Sequence, residues 1–244
     1  MLVLDAIVER THTFISRTEW NEGPFSQLGP TYLQDLLYRA SAISTILEHI
    51  DTINDNAQSN TVFIVERTLA QLAMVIESLD DWHIKVRSEH IDFSACQSAD
   101  EACDPRFRFP NLTTANCMTH FWAFKILCIS EIACLKRQYP ELAAKDIEPG
   151  NDTLQSETYP FEVERMSHWI MQSTEYLSQD HMKLFGVLST YFPVHTVFAT
   201  LLRYERITKN FSLFNTFAGQ HRSLIKTLMQ LGCISPLVSH FADF

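Results

Sequence analysis

The stretch at residues 111–140 constrains the fold more than any other, because its apolar residues nearly encircle a helical axis. Met118, Phe121, Cys128, Ile132 and Leu135 recur at steps of three or four with Lys125 between them, and Trp122, Ile126, Ile129 and Ala133 cover the adjoining face. Such steps return side chains to one side of a helix. A helix apolar on most sides is poorly suited to a surface and belongs in the middle of a larger helical assembly. Its ends are legible too. Thr113 or Thr114 is placed to cap the first turn, Lys136 and Arg137 suit the negative end of the helix dipole, and Tyr139 with Pro140 closes it.

The remaining chain supplies helices to surround it. Residues 3–20 place Leu4, Ile7, Val8, Thr11, Phe14 and Ile15 on one stripe, with Asp5, Glu9 and Arg10 outside it. A loop with two Gly-Pro pairs follows. Helical periodicity then resumes over residues 31–53 (Leu33, Leu36, Leu37, Ala40, Ile43, Leu47, Ile50) and 62–88 (Val65, Leu69, Leu72, Ala73, Ile76, Leu79, Ile84, Val86). Residues 89–110 and 141–160 read as irregular loops. Beyond them, helices are expected at 161–178, 181–191, 193–208 and 211–231, with Pro193 in a first turn and Gly232 ending the last. The expected fold is one all-α domain over residues 1–244, with seven to eight helices in irregular orthogonal or solenoid-like packing. Six Gly and nine Pro are too few turn formers for a many-stranded β fold.

Charge and motif content narrow the function classes. A net charge of -10 repels phosphate backbones, which argues against direct nucleic-acid binding. The apolar run at residues 184–202 approaches membrane-spanning length, but Gly186, Pro193, His195 and several hydroxyl residues interrupt it, so a buried helix pair or a kinked helix is expected and no membrane. Charges within the first ten positions break any secretion-signal core, so an intracellular setting, nucleus or cytoplasm, is expected. The six cysteines form no CxxC pair and read as reduced. Phosphate-binding glycine loops, GxSxG and HExxH motifs do not occur, so neither a cofactor nor a metal is expected.

The residues left to carry chemistry lie on the expected helices. His120, His168 and His195 sit beside apolar residues and suit a site assembled between helices, although a core or boundary histidine is the plainer reading of each. Glu164 and His168, four apart, form a local helix pair. Phe121, Trp122, Phe124, Tyr191, Phe192, Phe198 and Tyr204 would line an apolar pocket or simply fill a core. The candidate ligand-binding residues are therefore His120, Trp122, Lys125, His168, Tyr191 and His195. No catalytic residue is singled out.

Three segments in this order resemble the C-terminal half of fungal zinc-cluster transcription regulators. Residues 115–126 carry a Phe-Trp-Ala core at 121–123, residues 167–177 carry Gln172 and Ser173, and residues 184–194 run from Gly186 to Phe192 and Pro193. The resemblance spans roughly residues 30–230 and implies an all-helical regulatory scaffold. Those regulators are similar in having a six-cysteine cluster that holds two zinc ions, and this sequence lacks that pattern. Two functions follow as expectations. One is a stand-alone or truncated regulatory domain that binds a hydrophobic small molecule or a protein partner. The other is a secondary-metabolism enzyme on the same scaffold, promoting cyclisation or rearrangement of a hydrophobic substrate without metal or nucleotide.

Overall fold

The structure, a computed structural model, describes residues 2–17, 19, 29–55, 61–88, 109–143, 158–208, 219 and 226. It is all-α. Seven α-helices and no strand occur among the described residues: α1 (Leu2–Val8), α2 (Tyr32–Asp55), α3 (Thr61–Ser88), α4 (Leu112–Gln138), α5 (Pro140–Ala143), α6 (Thr158–Leu177) and α7 (Lys183–Thr208). Two 3-10 turns, Phe14–Ser16 and Asp180–Met182, accompany them. The chain divides into two compact units, Met1–His90 with Cys128–Val163, and Ile91–Leu127 with Glu164–Phe244. Helices α4 and α6 are each divided between the two units, at 127/128 and 163/164.

In the first unit, α2 and α3 pair as a helical hairpin. Leu36, Ala40, Ile43, Leu47 and Ile50 are buried on α2, and Val65, Thr68, Leu72, Val75, Leu79, Trp82 and Val86 on α3. Both sets alternate steps of three and four, the spacing of a packed helix seam. The inner face of α3 thus includes Thr68, Val75 and Trp82, which the sequence reading omitted, while Ile84 is exposed. The Trp82 indole N–H donates to the Tyr32 carbonyl at 3.0 Å, so this large ring is buried without stranding its donor. At one edge Asp35 accepts from Arg39 and Lys85, and Arg39 also reaches the Ser78 carbonyl.

The expected first helix is cut short. It ends at Val8 because Arg10 takes a left-handed conformation (φ 53), with Thr11 N–H bonded to the Ala6 carbonyl and Arg10 N–H to Ile7. These are the two bonds of a Schellman close. Thr13 then caps the 3-10 turn by accepting from Ile15 N–H.

In the second unit, the front half of α4 buries side chains all round: Ala115, Cys117, Met118, His120, Phe121, Trp122, Ala123, Phe124 and Ile126. Its cap is Asn111, whose Oδ1 accepts from Thr114 N–H at 2.9 Å, rather than either threonine. The helix begins two residues earlier than a Thr113 cap requires, and asparagine serves the same purpose. Lys136 and Arg137 occupy the last turn, and Pro140 opens the short α5 instead of ending the structure.

Helix α7 is continuous through Pro193, where two helices were expected. Proline removes one backbone bond and usually disfavours a helix interior by about 3 kcal/mol. Here Phe192, Pro193, Val194, Val197 and Phe198 are all buried, and burying two or three large apolar side chains offsets that amount. Close packing also explains Gly186. A Cβ there would overlap the Leu177 carbonyl oxygen and lie 2.6 Å from Met182 Cβ. Of the expected irregular stretches, 89–108 and 144–157 lie outside the described residues, whereas 141–143 and 158–160 are helical. Of residues 211–231 only Gly219 and Lys226 are described, both helical and exposed. By length and composition alone, Leu112–Gln138 and Leu184–Tyr204 are apolar enough to cross a membrane.

Candidate functional site

The second unit gathers an aromatic cluster around His120. On α4, Thr119 and His120 follow Asn116 by three and four residues, so both side chains fold back to its carbonyl. Thr119 Oγ1 donates to it at 3.1 Å, and His120 Nδ1 lies 2.8 Å from it. A carbonyl can only accept, so Nδ1 carries the ring proton and Nε2 is left as an acceptor. From α7, Phe192 stacks on the imidazole with centroids 5.7 Å apart and planes 12° from parallel. Phe124 leans against both rings, at 6.1 Å from His120 and 5.4 Å from Phe192. Burial disfavours the imidazolium and lowers the His120 pKa to about 4, against the opposing pull of the Asn116 carbonyl. The ring is neutral at physiological pH.

Beside it, Asn116 Oδ1 is buried with no hydrogen-bond partner among the described residues. Cys117 is buried as well, and its thiol is pushed up to about 12 by desolvation. A thiol in that state is a packing group, not a nucleophile.

The other candidates fall into separate small groups. Trp122 lies about 200° around α4 from His120, and packs on Trp169 with centroids 5.4 Å apart, while the Arg165 guanidinium sits 4.8 Å over the Trp169 ring. Lys125 extends over Phe121 at 5.7 Å. His168 Nε2 is 4.0 Å from Glu164 Oε1, beyond hydrogen-bond reach. Tyr191 and His195, one turn apart on α7, stack at 6.3 Å, and burial lowers the His195 pKa. Of the six, Tyr191 and His195 meet directly. The residues that complete the His120 group are Asn116, Phe124 and Phe192, and the i, i+4 spacing of His120 and Phe124 is the sequence signal for it.

The first unit holds a charged cluster that the sequence reading did not single out. Arg10 Nε lies 2.7 and 3.0 Å from the two Asp51 oxygens, and its Nη1 donates to Glu131 Oε1 at 2.9 Å. The Glu131 side chain is 1% exposed. Its place on the apolar face of α4, three residues after Cys128 and four before Leu135, is the legible signal: a carboxylate there requires a cation. The left-handed turn at Arg10 presents one. Among the described residues, no group of three or more His, Cys, Asp or Glu is placed to hold a metal ion.

No family model, curated protein or solved structure matches this chain.

Proposed function

We propose that this chain is a non-enzymatic regulatory domain, of the kind found in the fungal zinc-cluster regulators it resembles, and that it binds a hydrophobic small molecule at the His120 group. The observation that carries this reading is the neutral His120 ring stacked on Phe192 and flanked by Phe124, with the buried Asn116 Oδ1 on the same helix face. Aromatic walls with one or two fixed acceptors suit an apolar molecule bearing a hydroxyl or N–H donor. They suit proton transfer poorly, since an imidazole of pKa about 4 is a weak base at neutral pH. Binding therefore ranks above the cyclisation or rearrangement chemistry the scaffold would otherwise allow. A net charge of -10 supports action through a ligand or a protein partner in the nucleus or cytoplasm, without direct contact to DNA.

Native mass spectrometry of chain purified from its original host is expected to show a retained apolar small molecule, which Phe192→Ala and His120→Phe lose while remaining folded. Retention by both variants places the ligand elsewhere. Turnover of the retained molecule by the wild-type chain, abolished in His120→Phe, would replace the regulatory reading with the enzymatic one.

A further inference from the structure

The N-terminal segment, residues 2–17, is fastened to the first unit by few groups. Helix α1 packs on α2 and has seven residues, a length at which a helix has little stability of its own. It buries Val3, Ala6 and Ile7 and leaves Val8 exposed, whereas α2 and α3 bury rows of side chains along most of their length. The 3-10 turn that follows also packs on α2, with its cap Thr13 buried and Phe14 exposed. Between the two, Arg10 adopts a left-handed conformation that costs energy in any residue with a Cβ. Its guanidinium there reaches two carboxylates of unlike setting. Asp51 on α2 is 47% exposed and Glu131 on α4 is 1% exposed. An ion pair open to water contributes little, so the bond to Asp51 is the weaker fastening. The bond to Glu131 is the stronger one, because a buried carboxylate that loses its cation must regain water or be stranded. His12, with Nδ1 3.4 Å from Glu48 Oε1, forms a further pair that is exposed on both sides.

We propose that residues 2–17 are a strap that opens as a unit from a still-folded α2–α3 hairpin, with the Arg10–Glu131 bond as its catch. Closed, the strap supplies the countercharge of Glu131 and covers the α2 surface beneath Val3, Ala6 and Ile7. Open, it lets water reach the Glu131 carboxylate. At a rigid site, loss of the cation would leave a charge in the interior and destabilise the whole unit. A strap that lifts away limits that loss to its own opening. Arg10 is thus a positioning residue, and charge at position 10 sets the balance between the closed and open states. The device lies in the first unit and is independent of the His120 ligand reading.

Amide hydrogen exchange on the full chain, followed by NMR, tests it. The N–H groups of Glu9 and Thr11, bonded to the carbonyls of Asp5 and Ala6, report on the strap, and those of Leu72 and Leu79 report on the hairpin. In the wild type the strap amides are expected to exchange at least about tenfold faster than the hairpin amides. Arg10→Met should speed the strap amides by at least a further factor of about ten, with the helical circular dichroism spectrum retained. Arg10→Lys should have a smaller effect, since it keeps the charge but loses the fork that spans both carboxylates. Adding Glu131→Gln to Arg10→Met should slow the strap amides again by at least about threefold, because no buried charge is left to rehydrate. Equal protection of strap and hairpin in the wild type overturns the proposal. So does an Arg10→Met chain whose strap exchange is unchanged or which unfolds throughout, or a double variant no better protected than Arg10→Met.

Discussion

Helices α4 and α7 are alike in sequence and unlike in circumstance. Each is long and apolar enough to cross a membrane, yet the most apolar window of α4 is 72% buried within the molecule and that of α7 only 56%. The difference lies in how much of each helix is covered along its length. On α4, Phe121, Trp122, Phe124 and Ile126 point in several directions and all are buried, whereas α7 buries Phe192 and Phe198 and leaves Leu184, Phe185 and Leu188 in solvent. Mean hydropathy reports how much apolar surface a helix carries. Neighbours decide how much of it is hidden.

The largest expected effect lies on the buried side of that contrast. Phe124→Ala removes a ring that is fully buried between His120 and Phe192, and should destabilise the chain by about 3–5 kcal/mol in urea unfolding. A loss near zero would show that α4 is less enclosed than its neighbours imply. Acid should act on the same place. His120 is neutral when folded, with a pKa of about 4 against 6.5 in an unfolded chain, so below pH 6.5 protons bind the unfolded state first. Its stabilising contribution is complete above pH 6.5 and is lost as pH falls toward 4, by about 3 kcal/mol in all. Unfolding of the wild type and His120→Leu compared at pH 7 and pH 4 isolates this share, since the variant should lose that much less on acidification.

The tight side of α7 is expected to respond next. Gly186→Ala forces a methyl against the Leu177 carbonyl and Met182, and should lower stability by about 2–3 kcal/mol, read as a shifted urea midpoint. Least affected is the exposed first half of α7. Leu188→Ala should change stability by no more than about 0.5 kcal/mol. A larger loss there would erase the contrast between the two helices.

Much of the fold was legible in the sequence because it rests on local periodicity. The stripes through Leu36, Ala40, Ile43 and Leu47, and through Val65, Leu72 and Leu79, follow from side-chain spacing alone. Boundaries were less legible. The first helix carries apolar spacing well past Val8, but a left-handed Arg10 held by Asp51 and Glu131 ends it, and those partners are 41 and 121 residues away. The continuity of α7 through Pro193 was hidden for the same reason, since a local rule predicts a break and burial on both sides outweighs it. Of the candidate residues, His120 proved to be the centre of an aromatic group. Trp122, Lys125 and His168 were placed in other groups by the rotation of their helices, which one-dimensional proximity to apolar residues does not encode.

By itself, the sequence determined the all-α class, the hairpin faces of α2 and α3 and the encircled character of α4, because 3.6-residue periodicity and the scarcity of turn formers act within a few residues of chain. Tertiary structure decided which apolar faces are covered, that Glu131 meets Arg10, and that His120 is stacked on Phe192 and neutral. Those outcomes depend on desolvation and close packing between residues far apart in the chain, and no local pattern sets the distances on which such forces depend.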